Sequence, residues 1–422
     1  MPFNFFDFSS FFNLSLKSLS SFIKAIIINF WWLAIPVILG KVFIDLKNQF
    51  KKSQKGKKEE IKDWVNLEIR LAGEISQTYK SIEQVFNGLH AIKKGLISLE
   101  IVGVNKEMHF VIRAPREYKS LLESQFYAQY SGIEIIETED YFSRLPPRLP
   151  NKIFDLWGTE MDLEKDDYYP IKSYSFFAEQ KEEQTRDPFS VLAEVINKLK
   201  KTEWFILSIL LKPLDKDEEK KWIEEGKNEI NKKMGKKVEQ KKVGWQDWLP
   251  AFFENLMVGF ARPPVWPGEG GENKESGAAI NLSSGEREEI KAIEKKINQP
   301  SFKTGIRLLY ISPKTDYDEN NALNFTSFFE QFSAKDLNSF KINEEASTDK
   351  IEAKYFKKKK LLFKKLDFYH SVLKRKKTKK EFILSSEELA TLYHFPSSMF
   401  KGPTLVRSLS KKGEPPTNLP IE

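Results

Sequence analysis

Hydrophobic and polar positions alternate in the segment WVNLEIRL, residues 64–71, and this period of two predicts a half-buried strand. Beyond Gly73, apolar side chains recur at helical spacing as far as Ile92. Two further alternating runs, LISLEIVGV and MHFVIRAP, predict a hairpin, and a helix and the strand IEIIETEDY follow. The order strand, helix, strand, strand, helix, strand predicts a split-βαβ, ferredoxin-like unit over residues 63–150.

The same order recurs, with an interruption, over residues 151–345. Asp187-Pro188 predicts the start of a helix, and the apolar run 204–211 predicts the strand after it. A charged and Pro/Gly-rich stretch at about 215–282 then breaks the pattern. Ser283 and Glu286 have the spacing of a capping box, and the strand GIRLLYIS lies beyond that helix. We therefore expect a second ferredoxin-like unit with a long insertion.

The N-terminal pattern differs, because residues 25–40 carry no charge and residues 1–21 form a Phe-rich segment. A spanning helix needs about 20 apolar residues, so we predict a transmembrane helix over the whole of residues 22–46. A signal peptide or a buried core helix would be the alternatives. The Lys-rich linker 47–62 predicts a single-pass protein of the inner membrane with its C-terminal portion in the cytoplasm. The predicted membrane anchor comprises Phe30, Trp31 and Trp32.

Charge is distributed unevenly along the 422 residues. The net charge is +8, yet residues 350–380 carry 14 Lys and Arg against two acids, so the rest of the chain is mildly acidic. The basic segment 346–380 mixes lysines with aromatic residues. Such a segment can contact a lipid surface, bind nucleic acid, or simply face solvent, and the sequence leaves these three alternatives open. The candidate lipid or nucleic-acid contacts are Lys357, Lys358, Lys359, Lys360, Lys364, Lys365, Lys374, Arg375, Lys376 and Lys377.

Motifs that would indicate catalysis are missing from the sequence. There is no cysteine, the four histidines form no i, i+4 pair, and neither a phosphate-binding GxxxxGK[ST] loop nor a GxSxG elbow occurs. We therefore predict no catalytic, metal-binding or cofactor-binding residue, and we expect that the chain is not an enzyme.

The C-terminal segment 381–422 contains FILSSEELATLYHFP, in which Ser385 and Glu388 have the spacing of a second capping box, and, further on, KKGEPPTNLP. These segments resemble the region that precedes the ATPase domain in type IV secretion or conjugation-type ATPases of the HerA/FtsK superfamily, and so do the segments SLEIVGVNKEMHFVIRAP and DPFSVLAEVINKL. The resemblance implies a membrane-anchored domain of unknown function, here ending at Glu422 where the motor would begin. It also implies that the segment from Ser385 faces a separate motor, and the candidate docking residues are Glu387, Glu388, Leu389, Tyr393 and His394.

The sequence therefore predicts an α+β protein with an N-terminal transmembrane helix followed by two ferredoxin-like units. Its expected function is that of a non-catalytic membrane anchor and docking subunit for a type IV secretion-like ATPase. The alternative is a membrane-tethered nucleic-acid-binding protein that uses residues 354–380. The expected partners are membrane lipids, a separate HerA/FtsK-type ATPase, nucleic acid and a second copy of the chain.

Overall fold

One antiparallel sheet is the framework of the part of the chain that the computed structural model describes, namely residues 63–71, 79–92, 95–179, 187–235, 282–349 and 356–396. The sheet has nine strands in the order β4-β1-β3-β2-β6-β7-β5-β8, with β9 paired to β7. The strands are β1 (Trp64–Leu71), β2 (Ile97–Val104), β3 (Glu107–Pro115), β4 (Ile133–Thr138), β5 (Phe154–Leu163), β6 (Trp204–Pro213), β7 (Ser301–Pro313), β8 (Phe340–Ile342) and β9 (Phe382–Ser385).

Nine α-helices accompany the sheet within the described residues. Two of them, α6 and α9, begin with capping boxes in which a serine and a glutamate satisfy each other's backbone amides, as the sequence predicts at Ser283 and Ser385. The helices are α1 (Tyr79–Leu89), α2 (Lys119–Gln129), α3 (Tyr174–Glu179), α4 (Phe189–Lys198), α5 (Lys216–Lys233), α6 (Ser284–Ile297), α7 (Asn320–Ser327), α8 (Lys357–Leu373) and α9 (Ser386–Leu392).

The strand order repeats across the middle of the sheet. The first half reads β4-β1-β3-β2 from its outer edge inwards and the second half reads β8-β5-β7-β6, so β6 stands where β2 stands. Strands β2 and β6 pair antiparallel with each other, with Ile101 opposite Leu207. In the second half, strands β6 and β7 are paired in the sheet, and helices α5 and α6 belong to the stretch of chain that connects them. The two predicted units are thus halves of a single continuous sheet.

The two faces of the sheet are covered differently. Helices α1, α2, α4, α7 and α9 contribute to the larger apolar core, which includes Phe110 and Phe205. Side chains alternate between faces along a strand, and so Val111 and Ile206 belong to a smaller core on the other face. That second face is covered by α8 and by the segment that leads into β5. It is the face that carries the candidate site.

The predicted transmembrane helix requires a correction. Among the residues that the structure describes, no helix is both long and apolar enough to cross a bilayer. The predicted span 22–46, with Phe30, Trp31 and Trp32, lies outside the described residues, and its uncharged run of 16 residues is shorter than the roughly 20 that a spanning helix needs. The described residues form an α+β fold, and the predicted span, the single-pass architecture and the inner-membrane localisation are withdrawn.

Candidate functional site

The C-terminal half of helix α8 is anchored to the second face of the sheet. Phe368 packs directly over Gly158 in β5, so closely that a Cβ atom on the glycine would lie 2.1 Å from the Phe368 ring. Tyr369 is buried and donates a hydrogen bond from its hydroxyl to the Pro146 carbonyl at 2.7 Å. Val372 is buried beside them. This half of the helix is therefore fixed by packing that only a glycine in β5 permits.

Arg375, two residues beyond α8, enters the interior. Its guanidinium donates to both Glu100 oxygens, at 2.9 and 3.1 Å, and to Asp140 at 2.9 Å, and it lies 4.6 Å from the centre of the Phe142 ring. Burial alone lowers the pKa of Arg375, but the charge of Glu100 outweighs it, so the pKa is raised. For Asp140 the two effects have the opposite signs. Burial raises its pKa, but the hydrogen bond from Arg375 outweighs burial and holds the pKa below its ordinary value.

A second buried arginine holds the next few residues. Arg307 in β7 donates from Nε to Glu160 at 2.9 Å and from Nη2 to the Lys377 carbonyl at 2.7 Å. The other oxygen of Glu160 accepts the backbone N–H of Lys379 at 2.7 Å. Glu100, Arg307 and Glu160 belong to one row of facing residues that crosses the sheet, with Ser208 between Glu100 and Arg307. The row of buried charges thus binds the end of the basic segment.

The N-terminal half of α8 is exposed. Phe356 is 79% exposed and Phe363 is 58% exposed, whereas the core aromatics of the sheet are almost fully buried. Four lysines occupy the first turn, where the positive end of the helix dipole repels cations, so helix stability does not account for them. We call the following set the basic-aromatic surface: Phe356, Lys357, Lys358, Lys359, Lys360, Leu362 and Phe363.

The structure divides the ten predicted basic contacts into different environments. Lys364 and Lys365 are half-buried, and their ammonium groups reach the Glu344 carbonyl at 3.2 Å and Asp155 at 2.8 Å. Burial and the neighbouring Lys379 lower the pKa of Lys364. Four of the others, Lys357 to Lys360, form the exposed first turn, Lys374, Lys376 and Lys377 are exposed beyond the helix, and Arg375 is buried.

The predicted docking residues lie in the interior. Leu389 and Tyr393 belong to the larger core, and Nε2 of His394 lies 2.9 Å from Asp187. Glu387 and Glu388 are buried, and they form ion pairs with Lys295 and Lys296 of α6. These five residues therefore do not form the exposed motor-facing surface that the sequence predicts.

Residues important for the site were missed in the sequence. Glu100 and Arg307 each stand within an apolar run, and that placement was the available signal, since a charge there needs a buried partner. Glu160 gave a weaker signal, because its strand also contains Asp155 and Asp162. Within the described residues, no group of three or more histidine, aspartate and glutamate side chains could hold a metal ion. The arrangement offers cations and aromatic rings at a surface.

Comparison with curated proteins finds no match to this sequence. One family profile, described as a domain of unknown function, matches residues 48–407 and so includes every described strand and helix. The chain belongs to this family, the domain of unknown function DUF8128.

Proposed function

We propose that this chain binds nucleic acid through the basic-aromatic surface of α8. The observation that carries the proposal is the exposure of Phe356 and Phe363 beside four first-turn lysines, on a helix whose other half is fixed to the sheet. Lysines that neutralise phosphates supply affinity, and aromatic rings supply stacking platforms for unpaired bases. Because α8 is anchored to the sheet, its lysines and aromatic rings are held in position before nucleic acid binds.

A merely solvated basic face accounts less well for these residues. A solvated face keeps charges in water, but it gives no reason for two large aromatic rings and Leu362, 43% exposed, to stand among them. A lipid surface would use the same chemistry, and it is an outcome that the experiment below distinguishes.

The resemblance to the region before HerA/FtsK-type ATPases supports the same direction, since conjugation-type motors move DNA. We propose a separate ATPase of that class as a partner and a non-catalytic, nucleic-acid-holding role for this chain.

The test is binding of a fluorescent single-stranded oligonucleotide to the full chain, measured by anisotropy over a series of salt concentrations. The variant replaces Lys357, Lys358, Lys359 and Lys360 with glutamine. Each phosphate contact contributes about 0.7 to the slope of log K against log salt for single strands, so the slope should become shallower by up to about 3. Replacing Phe356 and Phe363 with alanine should weaken binding at every salt concentration and leave the slope unchanged.

The matched control removes four exposed lysines from another helix, α5: Lys220, Lys221, Lys227 and Lys232. It changes net charge equally and should leave the slope near that of the unmodified chain. Equal loss in both quadruple variants would show general electrostatics and contradict the proposal. Binding to vesicles of anionic lipid with none to the oligonucleotide would contradict it in favour of a lipid surface.

A further inference from the structure

A cavity of about 470 Å³ lies between helix α6, the segment 170–176 and the start of α9. It is separate from the basic-aromatic surface and plays no part in the proposed function. Apolar side chains line much of its wall, and Glu387 and Glu388 from the start of α9 contribute polar lining. The apolar part consists of Pro170, Ile171, Phe176, Ala292, Ala334 and Leu337.

Two consecutive lysines of α6 meet two consecutive glutamates of α9, and the two ion pairs differ in exposure. Lys296 lies 3.0 Å from Glu388, and the two side chains are 1% and 2% exposed. Lys295 lies 2.8 Å from Glu387, but its side chain is 53% exposed while that of Glu387 is 6% exposed. Moving the Lys296 ammonium away from Glu388 would leave a buried carboxylate without its ionic partner. The Lys295 side chain, in contrast, extends inwards from the surface, and its ammonium can move back into solvent.

Neutral donors also hold the Glu387 carboxylate in place, and one of them, Ser175, accepts a hydrogen bond from Lys295 at 2.8 Å. Gln299 donates to it at 2.7 Å, Ser173 donates at 2.7 Å, and the Ser175 hydroxyl also donates to it. Burial raises the pKa of Glu387, but the hydrogen bonds, that of Lys295 foremost, outweigh burial and keep the pKa below its ordinary value. The cavity therefore contains an ionised, pre-oriented carboxylate.

The aromatic ring in the cavity wall has an affinity for cations as well. Phe176 is 39% exposed, and the ammonium group of Lys172 lies 5.4 Å from the centre of its ring. A carboxylate together with an aromatic face and an aliphatic wall is a combination that suits an organic cation on a hydrocarbon stem.

We propose that this cavity binds an alkylammonium group, with Glu387 as the counter-ion and Lys295 as a built-in occupant that the ligand displaces. The ligand can be a free aliphatic amine or the side chain of a lysine in a partner, since both offer an ammonium on an aliphatic stem. Competition from Lys295 weakens binding in the unmodified chain, because the ligand must first displace a charge-assisted hydrogen bond.

The experiment is calorimetric titration of the full chain with 1,5-diaminopentane and, in a second arm, with a short peptide that contains one lysine. Lys295→Ala should tighten binding on the order of tenfold, since it removes the competing hydrogen bond to a charged group. Lys291→Ala is the matched control, because Lys291 is an exposed lysine of the same helix that lines the cavity and makes no hydrogen bond to Glu387. Glu387→Gln should abolish binding.

A gain of affinity cannot come from misfolding, so the Lys295→Ala result stays informative if Glu387→Gln folds poorly. No gain in Lys295→Ala, or an equal gain in Lys291→Ala, would overturn the proposal. Binding that persists in a folded Glu387→Gln variant would also overturn it. Tighter binding of the diamine than of the peptide identifies a free amine as the ligand, and the reverse identifies a protein side chain.

Discussion

The two halves of helix α8 lie in opposite environments. The C-terminal half and the turn after it are held by Phe368 over Gly158 and by Arg375 between Glu100 and Asp140. The N-terminal half exposes a first turn of four lysines, and Phe356, the residue before the helix, is exposed as well. A run of basic and aromatic residues is therefore not one surface, because buried acids of the sheet neutralise one part of it and leave the other part for solvent or a ligand.

The largest effect that we expect comes from breaking the anchored half with Arg375→Met. The substitution leaves Glu100 buried without its ionic partner, so the free energy of unfolding should fall by about 3–5 kcal/mol. Urea unfolding of the full chain measures it. The control Lys374→Met changes an exposed neighbour and should stay within about 0.5 kcal/mol. Equal effects at the two positions would show that the buried pairs do not anchor the helix.

A smaller loss is expected when the packing of α8 on β5 is disturbed by Gly158→Ala. The added methyl would overlap Phe368, and overpacking of this kind costs about 1–3 kcal/mol of the free energy of unfolding. Thermal unfolding followed by circular dichroism checks this. The same change at Gly132, where an added Cβ meets nothing within 4 Å, is the control. A midpoint that shifts as little at Gly158 as at Gly132 would argue against tight seating of the helix.

The exposed half should respond in the opposite direction. Replacing Lys357, Lys358, Lys359 and Lys360 with glutamine removes cations from the positive end of the helix dipole, an effect of roughly 0.3–1 kcal/mol per charge at low ionic strength. Unfolding in low-salt urea should show a gain of about 1 kcal/mol while oligonucleotide binding is lost. The α5 control variant should show no such gain. Lower stability in the α8 variant would mean that these lysines support the fold.

The smallest effect that we expect is a dependence of the free energy of unfolding on pH in the acid range. The folded pKa of Asp140 lies below its ordinary value of 3.8, so its carboxylate stabilises the fold above about pH 4, and this contribution is lost as the pH falls through the folded pKa. The gap in free energy of unfolding between the unmodified chain and Asp140→Asn should therefore narrow between pH 6 and pH 3. Urea titrations at several pH values measure the gap, and a constant gap would contradict the assignment.

Local features of the fold could be predicted from the sequence. The strand β1, the hairpin of β2 and β3 and the two capping boxes each depend on a few adjacent residues, and the structure confirms them. The half-burial predicted for β1 is wrong, because Asn66 and Glu68 are buried together with its apolar residues. The pairing of β2 with β6 joins strands about a hundred residues apart, and no pattern within either strand encodes the partner. For this reason two units were expected where one sheet exists.

The candidate site was predictable in content but not in arrangement. The lysines and aromatics of residues 354–380 stand out in the sequence, yet Arg375 meets Glu100 across 275 positions and Asp140 across 235. Glu387 and Glu388 were expected on an exposed docking surface because of the family resemblance, and no pattern in their own segment indicated their burial. Their neutralising lysines lie 92 positions earlier. Burial of a charge depends on partners that are distant in sequence.

The pairing of β2 with β6 also has a consequence for biosynthesis. Strand β2 leaves the ribosome about a hundred residues before its neighbour β6, and until then its apolar edge has no partner on that side. An unpaired apolar edge invites pairing with other chains. During that interval the open edge of β2 is available to other chains, so we expect slower translation through residues 105–203 to raise the tendency of the nascent chain to aggregate.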